Sequence, residues 1–363
     1  PLLPLIIESL ALSKTEAGLL SSVLQAPSLL QPIIGHQADR RGLRTLVFLA
    51  PAVTAIAMSS VIAASGYATI ALLLVVAGCS SACLHAIGPV LTGRLSGSKL
   101  GRGMGIWMVG GEMGRTLGPL VIVSALQFLG RDQAYWVFIG GVAMTVAMML
   151  LLRRSRAPSR GQQKDLPWRD ALRAMRPLLL PLGAFIVVRV FLSVASTTYL
   201  PTFMSEEGSS LWLAGASLSL LEAAGVVGAL TGGSISDRIG RRAVLAIAPV
   251  ASGGLMLLFL MASGKVRLVF LLALGFTSLS VTPVIMALVQ ESFPRNRALA
   301  NGIYMSISFL LRSGVVVLVG GLGDWLGLRI AFTICAIVTL LGAPTAFWLT
   351  AKGNQIAREQ AVT

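Results

Sequence analysis

Gly35-His36-Gln37-Ala38-Asp39-Arg40-Arg41-Gly42-Leu43-Arg44 and Gly233-Ser234-Ile235-Ser236-Asp237-Arg238-Ile239-Gly240-Arg241-Arg242 are one loop written twice. Gly, Asp, Arg, Gly and Arg all recur at an offset of 198, which composition alone does not produce. Weaker echoes follow at 197: Leu3-Pro4 with Leu200-Pro201, Ala17-Gly18 with Ala214-Gly215, and Arg115 with Arg312. The chain is therefore two homologous halves. In each copy an aspartate closes one apolar stretch and Gly-x-Arg opens the next, so the carboxylate can pair with guanidinium groups across a tight turn that glycine permits. Such a cluster can break and re-form as helices tilt. A static topology anchor would need only the basic residues, not the paired Asp39 and Asp237.

The sequence around the loops is that of a membrane protein. Of 363 residues, 55% are hydrophobic and 12% charged, with a mean hydropathy of +0.83; soluble domains carry roughly 25% charged residues. The net charge of +15 invites a nucleic-acid reading, but that needs basic residues gathered on one wet face, and here they sit in short runs between apolar stretches. Cutting at charge and turn clusters gives spans near 16–38, 43–64, 67–94, 102–129, 134–152, 178–200, 211–236, 241–262, 266–292, 298–320 and 328–351, plus a stub at Leu2 to Ile7. By the repeat, the counterparts of residues 178–197 fall before Pro1, so the first span is expected to be truncated and the sequence to be an excerpt.

Alternate connections hold 21 of the 29 basic residues and the opposite ones hold 5: Lys14, Arg131, Lys265, Arg267 and Arg329. The basic-rich side is cytoplasmic by the positive-inside rule. This divides the chain into an N-terminal bundle (1–152), a basic cytoplasmic linker (153–177), a C-terminal bundle (178–352) and a cytoplasmic tail (353–363). Within the linker, Trp168 to Met175 reads either as a short amphipathic helix on the anionic leaflet or as plain connection. Cys79, Cys83 and Cys335 have neither disulfide nor zinc spacing and read as packing thiols; no metal is expected.

Ionisable residues inside a bilayer are costly and commonly functional. Arg115, Arg189 and Arg312 fall within spans, with Glu112, Glu222 and His85. Glu112 and Arg115, three residues apart, can neutralise each other on one helix face. Glu222 has no basic neighbour in register on its own span; with a partner such as Arg189 or Arg115 on another helix, its proton affinity would move with the helices. Arg115 and Arg312 suit a bidentate anionic group, or alternatively tie helices together. His85 reads as a proton relay or as a hydrogen-bonded packing residue. Gly110, Gly114 and Gly118 recur every four residues as a smooth face for close helix approach, and Pro119 bends the helix after them.

The doubled Gly-x-x-x-Asp-Arg-x-Gly-x-Arg motif resembles that of the major facilitator superfamily. The resemblance implies an all-α fold of two pseudo-symmetric six-helix bundles rocking about a central site. It implies conformational gating by Gly35, Asp39, Arg40, Gly42 and Arg44, and by Gly233, Asp237, Arg238, Gly240 and Arg242. Gly105, Gly114, Gly118 and Pro119 are similar to the antiporter motif of facilitator drug exporters, with Ile122-Val123 in place of its closing Gly-Gly. His85-Ala-Ile-Gly-Pro and the stretch from Val109 to Pro119 resemble exporters of the fosmidomycin-resistance type; Glu112 stands where Asn is usual and Arg115 where a small residue is usual. The resemblance thus implies proton-coupled export of small organic compounds or drugs, anionic ones included, from a bacterium by a monomer in the cytoplasmic membrane. Glu112, Arg115, Arg189, Glu222, Arg312 and His85 would handle substrate and protons, with the proton gradient and no cofactor as driving force. Symport of an organic anion into the cell is the alternative, and a non-transporting receptor of the same fold a more distant one. No constellation for enzyme catalysis is visible.

Overall fold

The computed structural model describes residues 14–41, 44–64, 66–130, 133–152 and 166–362, and the regular structure among them is helical. The first expected span, 16–38, is not one helix. α1 (Lys14–Gln25) gives way to a 3-10 turn (Ala26–Leu30) before α2 (Gln31–Arg41), because Pro27 offers no N–H to the ladder. Next come α3 (Arg44–Ala63), α4 (Tyr67–Ser96), α5 (Leu100–Leu129) and α6 (Phe138–Leu152), the last after a 3-10 turn at Ala134–Val137. α7 (Trp168–Val194) runs through a π turn (Ala195–Tyr199) into α8 (Leu200–Glu206). There the hydroxyls of Ser196 and Thr197 donate to the carbonyls of Leu192 and Ser193, competing with the regular ladder. α9 (Leu211–Ile239), α10 (Arg241–Met261), α11 (Gly264–Ser292), α12 (Arg297–Leu326), α13 (Leu328–Leu340) and α14 (Gly342–Val362) complete the chain.

Trp168 to Met175 is neither a separate surface helix nor plain connection. It is the first part of α7, buried at Ala171, Met175 and Leu178 and continuous through Pro177 and Pro181. The region read as a tail likewise continues α14 to Val362. Nine described helices are long and apolar enough to cross a membrane. Their outer faces carry large apolar side chains, with Met261 83% and Trp325 81% exposed. In water these would be aggregation sites; in hydrocarbon they are the required surface.

The chain divides into two compact units: 1–91, 113–165 and 295–306 form one, and 92–112, 166–294 and 307–363 the other. In the first, Ala38, Val47, Phe48, Ala86, Ile87 and Val90 build a core around Ala298 near the start of α12. In the second, α9 lies along α11 with the two backbones touching, because Gly228 puts no Cβ against the Phe276 backbone and Gly275 none against the Leu221 backbone. Between α9 and α10, Gly240 turns the chain at φ +91°, a conformation side chains with a Cβ rarely adopt.

Candidate functional site

The repeated loop owes its composition to helix crossings. In the first unit, α2 meets the N-terminus of α12 so closely that a Cβ on Gly35 would lie 2.5 Å from the Ala298 carbonyl carbon and 2.9 Å from the Leu299 nitrogen. One turn further along α2, the Asp39 carboxylate accepts hydrogen bonds from the N–H groups of Ala298 (3.0 Å) and Leu299 (2.8 Å). Helix starts leave such N–H groups without intrahelical partners and carry partial positive charge, so a buried carboxylate caps this one well. Asp39 is 1% exposed.

The second unit repeats the device with other helices. A Cβ on Gly233 of α9 would lie 2.7 Å from the Gly101 carbonyl carbon at the start of α5. Asp237 then accepts from the N–H groups of Gly101 and Arg102, both at 2.8 Å. One turn before the motif glycines the pattern extends again: Gly302 packs on the backbone of Gln31, and Gly105 on that of Ala229, where a Cβ would be 2.7 Å from the carbonyl oxygen. The spacing of Gly and Asp at i and i+4 puts the contact point and the cap on one helix face.

Charge is added differently from the expectation. Asp237 pairs with Arg241 at 2.7 Å, and Arg241 also holds Glu291 at the end of α11 at 2.7 Å. Arg242, the motif residue, instead lies over the Phe347 ring at 4.4 Å. The reason is angular: Arg241 opens α10 and faces Asp237 across the Gly240 turn, while Arg242 is rotated a further ~100° about α10. Arg40 and Arg238 are exposed; Gly42 and the Arg44 side chain lie outside the described residues.

Within the spans, the Arg312 guanidinium of α12 donates to Thr197 Oγ1 (2.9 Å) and Ser193 Oγ (3.3 Å). Arg189, one turn before Ser193 on α7, donates to Thr282 Oγ1 of α11. Arg189 of α7 is thus braced by a hydroxyl of α11, and Arg312 of α12 by hydroxyls of α7 and the π turn that follows it. Glu112 is 3% exposed on α5 and Glu222 is half-buried on α9. The Arg115 and Pro119 side chains lie outside the described residues. His85 is half-buried, and its carbonyl accepts from Asn301 Nδ2 at 2.8 Å.

The glycine stripe of α5 departs from expectation. Among the described residues nothing lies within 4 Å of a Cβ built on Gly110, Gly114 or Gly118, so none of these glycines packs against another described helix. Close packing on α5 falls instead on Gly101 and Gly105, at its first turns. Sequence reasoning missed Arg241, Glu291, Asn301 and the two capped helix starts. The 197 offset could have flagged the starts, since it places Gly105 on Gly302 and Gly101 on Ala298.

Long apolar helices in two units, a doubled capped crossing and ionisable groups within the spans define a polytopic membrane transporter. The chain belongs to the Major Facilitator Superfamily, whose family model matches residues 1–313 and again 223–361. It is 24% identical over 353 residues to the fosmidomycin resistance protein of Escherichia coli, covering 95% of this chain and 86% of that protein. Its fold is similar to that of the Escherichia coli fucose:proton symporter (TM-score 0.73, 17% identity, 92% and 91% of the two chains). It is also similar to the human organic anion transporter MFSD10 (TM-score 0.67, 20% identity, 91% and 83%).

Proposed function

We propose that the protein exports small organic anions in exchange for protons by alternating access. The observation that carries the cargo class is the pair Arg189 and Arg312, one on α7 and the other on α12, where it is bonded to Ser193 one turn along α7 from Arg189, both inside the spans. Hydroxyl partners orient both guanidiniums, and a guanidinium's planar fork suits a carboxylate or phosphonate arriving from water. Glu222 and Glu112 are the proton-exchanging groups of this reading, ionisable side chains withdrawn from water within the spans. The capped crossings at Asp39 and Asp237 are the contacts that must break for the motif end to open. The likeness to the fosmidomycin resistance protein supports export as the direction, and the 21 basic residues on one side support a cytoplasmic placement of the motif loops.

The test uses the purified protein in proteoliposomes with an imposed pH gradient and a set of small phosphonates and carboxylates. Transport driven by the gradient, abolished by Glu222→Gln while binding persists, is the expected result. Movement indifferent to the gradient sinks the coupling, and unchanged driven transport by Glu222→Gln removes that residue from it. In intact cells, accumulation of the anion in place of depletion would make the protein an importer. Arg312→Lys keeps the charge but loses the two-point geometry and is expected to weaken anion binding about tenfold.

A further inference from the structure

At the end of the second unit opposite the repeated loops, a cavity of about 630 Å³ opens between the α8–α9 connection, the α10–α11 connection and the start of α13. Its wall carries Lys265, Arg267 and Arg329 and one acid, Glu207. Basic residues are scarce on this side, five among 29, yet three of the five meet here. A merely structural tie would need one cation for one carboxylate.

The two arginines are held in place. Arg267 is 9% exposed, its guanidinium between the rings of Phe203 (5.2 Å) and Phe259 (5.0 Å), with Nη2 donating to Glu207 at 3.1 Å. Arg329 donates to both oxygens of Glu207, at 2.6 and 3.2 Å, and to the Leu260 carbonyl at 2.8 Å. The hydrogen bond from Arg329 is the main cause that keeps the Glu207 carboxyl below its ordinary range, so it stays charged and the wall keeps a net +2 at neutral pH.

The cavity also meets the start of a helix. Ser263 occupies the N-cap of the 29-residue α11 and lines the cavity, but its hydroxyl makes no capping bond. By contrast Ser210, at the start of α9, accepts from Leu213 N at 3.3 Å. The first-turn N–H groups of α11 therefore lack a side-chain cap at the wall that holds the three cations, an arrangement that favours anions.

We propose that this cavity is a second ligand site, binding a phosphate-class oxyanion between Lys265, Arg329 and the start of α11, with Arg267 fixing the Glu207 carboxylate beneath it. The shared chemistry is a phosphate group, carried either by a soluble anion or by an anionic lipid headgroup of the adjoining leaflet. The site stands independently of transport direction and of Glu222.

Two arms test it. In a neutral detergent, thermal unfolding of the whole chain is followed against inorganic phosphate, with sodium chloride at matched ionic strength as reference. In nanodiscs of phosphatidylcholine with or without phosphatidylglycerol, native mass spectrometry reads retained lipid. Lys265→Gln with Arg329→Gln leaves the pairing of buried Arg267 with Glu207 in place and should weaken binding at least about tenfold. Glu207→Gln removes the competing carboxylate and should tighten it roughly three- to tenfold, whereas a structural salt bridge gives no gain. A phosphate-specific shift with this pattern assigns a soluble anion; retained phosphatidylglycerol with this pattern assigns a headgroup. If neither probe binds, or the double variant binds as the parent does, the proposal is overturned; should Glu207→Gln fail to fold, the double variant decides alone.

Discussion

Gly35→Ala isolates what the first motif glycine does. The added Cβ would stand 2.5 Å from the Ala298 carbonyl carbon, where ordinary contact begins near 3.4 Å, so α2 and α12 must part by about 1 Å. Backbone lies on the far side of the contact, and no flexible side chain can yield. Overpacking of this kind costs roughly 1–3 kcal/mol, and separation also lengthens the Asp39 bonds to Ala298 and Leu299, worth about 1.5–3 kcal/mol for a charged acceptor. The alanine returns up to ~1 kcal/mol of helix propensity. The net loss of about 2–4 kcal/mol falls on the conformation with the crossing closed, an equilibrium shift of roughly 30- to 1000-fold. Gln31 reports it: it is fully buried at the same crossing, and its side-chain amide has no hydrogen-bond partner among the described residues, so Gln31→Cys disturbs little. In a chain with Cys79, Cys83 and Cys335 replaced by alanine, maleimide labelling of that thiol should accelerate by at least about tenfold with Gly35→Ala. Gly114→Ala, with nothing within 4 Å, should leave it unchanged. Equal labelling rates in the two alanine variants would refute the reasoning.

Asp39→Asn keeps one acceptor oxygen but turns an amide toward an N–H, which should cost about 1–3 kcal/mol and speed Gln31→Cys labelling; Asp237→Asn should do the same for a Met104→Cys reporter, a position 0% exposed on α5. Glu207 is held below its ordinary range when folded, so its contribution is complete at neutral pH and vanishes as pH falls through the depressed value. Thermal midpoints measured down an acid series should therefore fall less steeply for Glu207→Gln than for the parent. Gly240→Ala places a Cβ at φ +91° and should lower the thermal midpoint by the equivalent of about 1–2 kcal/mol, whereas Gly254→Ala, mid-helix and open, should not lower it.

The spans were legible because hydrocarbon leaves the backbone no alternative to a helix, so long apolar runs are over-determined. Trp168 to Met175 escaped because Pro177 read as a breaker, although α7 continues through it and through Pro181. The loop motif was legible as a repeat but not as a contact. Asp39 meets Ala298 across 259 residues, and nothing local to Asp39 names its partner. Gly110, Gly114 and Gly118 show the converse: a small-residue stripe permits close approach without saying that a neighbour takes it. Gly105, assigned by resemblance to the antiporter motif, proves to be the crossing partner of Ala229, as Gly302 is of Gln31. That role belongs to the repeat and says nothing of transport direction.

The two crossings share their backbone geometry but not all of their charged residues. At an offset of 197 Glu291 falls on Arg94, and at 198 Arg241 falls on Leu43, so the residues that bridge from Asp237 through Arg241 to Glu291 are not repeated at those positions of the first half. Glycine and aspartate, present in both, fix where the helices touch; the bridge adds energy to the second crossing. Its outer half is partly wet, with the Glu291 side chain 42% exposed, which limits it to about 0.5–1 kcal/mol. Glu291→Gln should therefore raise Met104→Cys labelling only about two- to fivefold and leave Gln31→Cys labelling at the parental rate. Added salt, at roughly 0.1–0.5 M, weakens exposed pairs and should reproduce the effect in the parent and have none in the variant. A rise at both reporters would mean that the crossings open as one unit, and the charge asymmetry would then tune the whole transition instead of one gate.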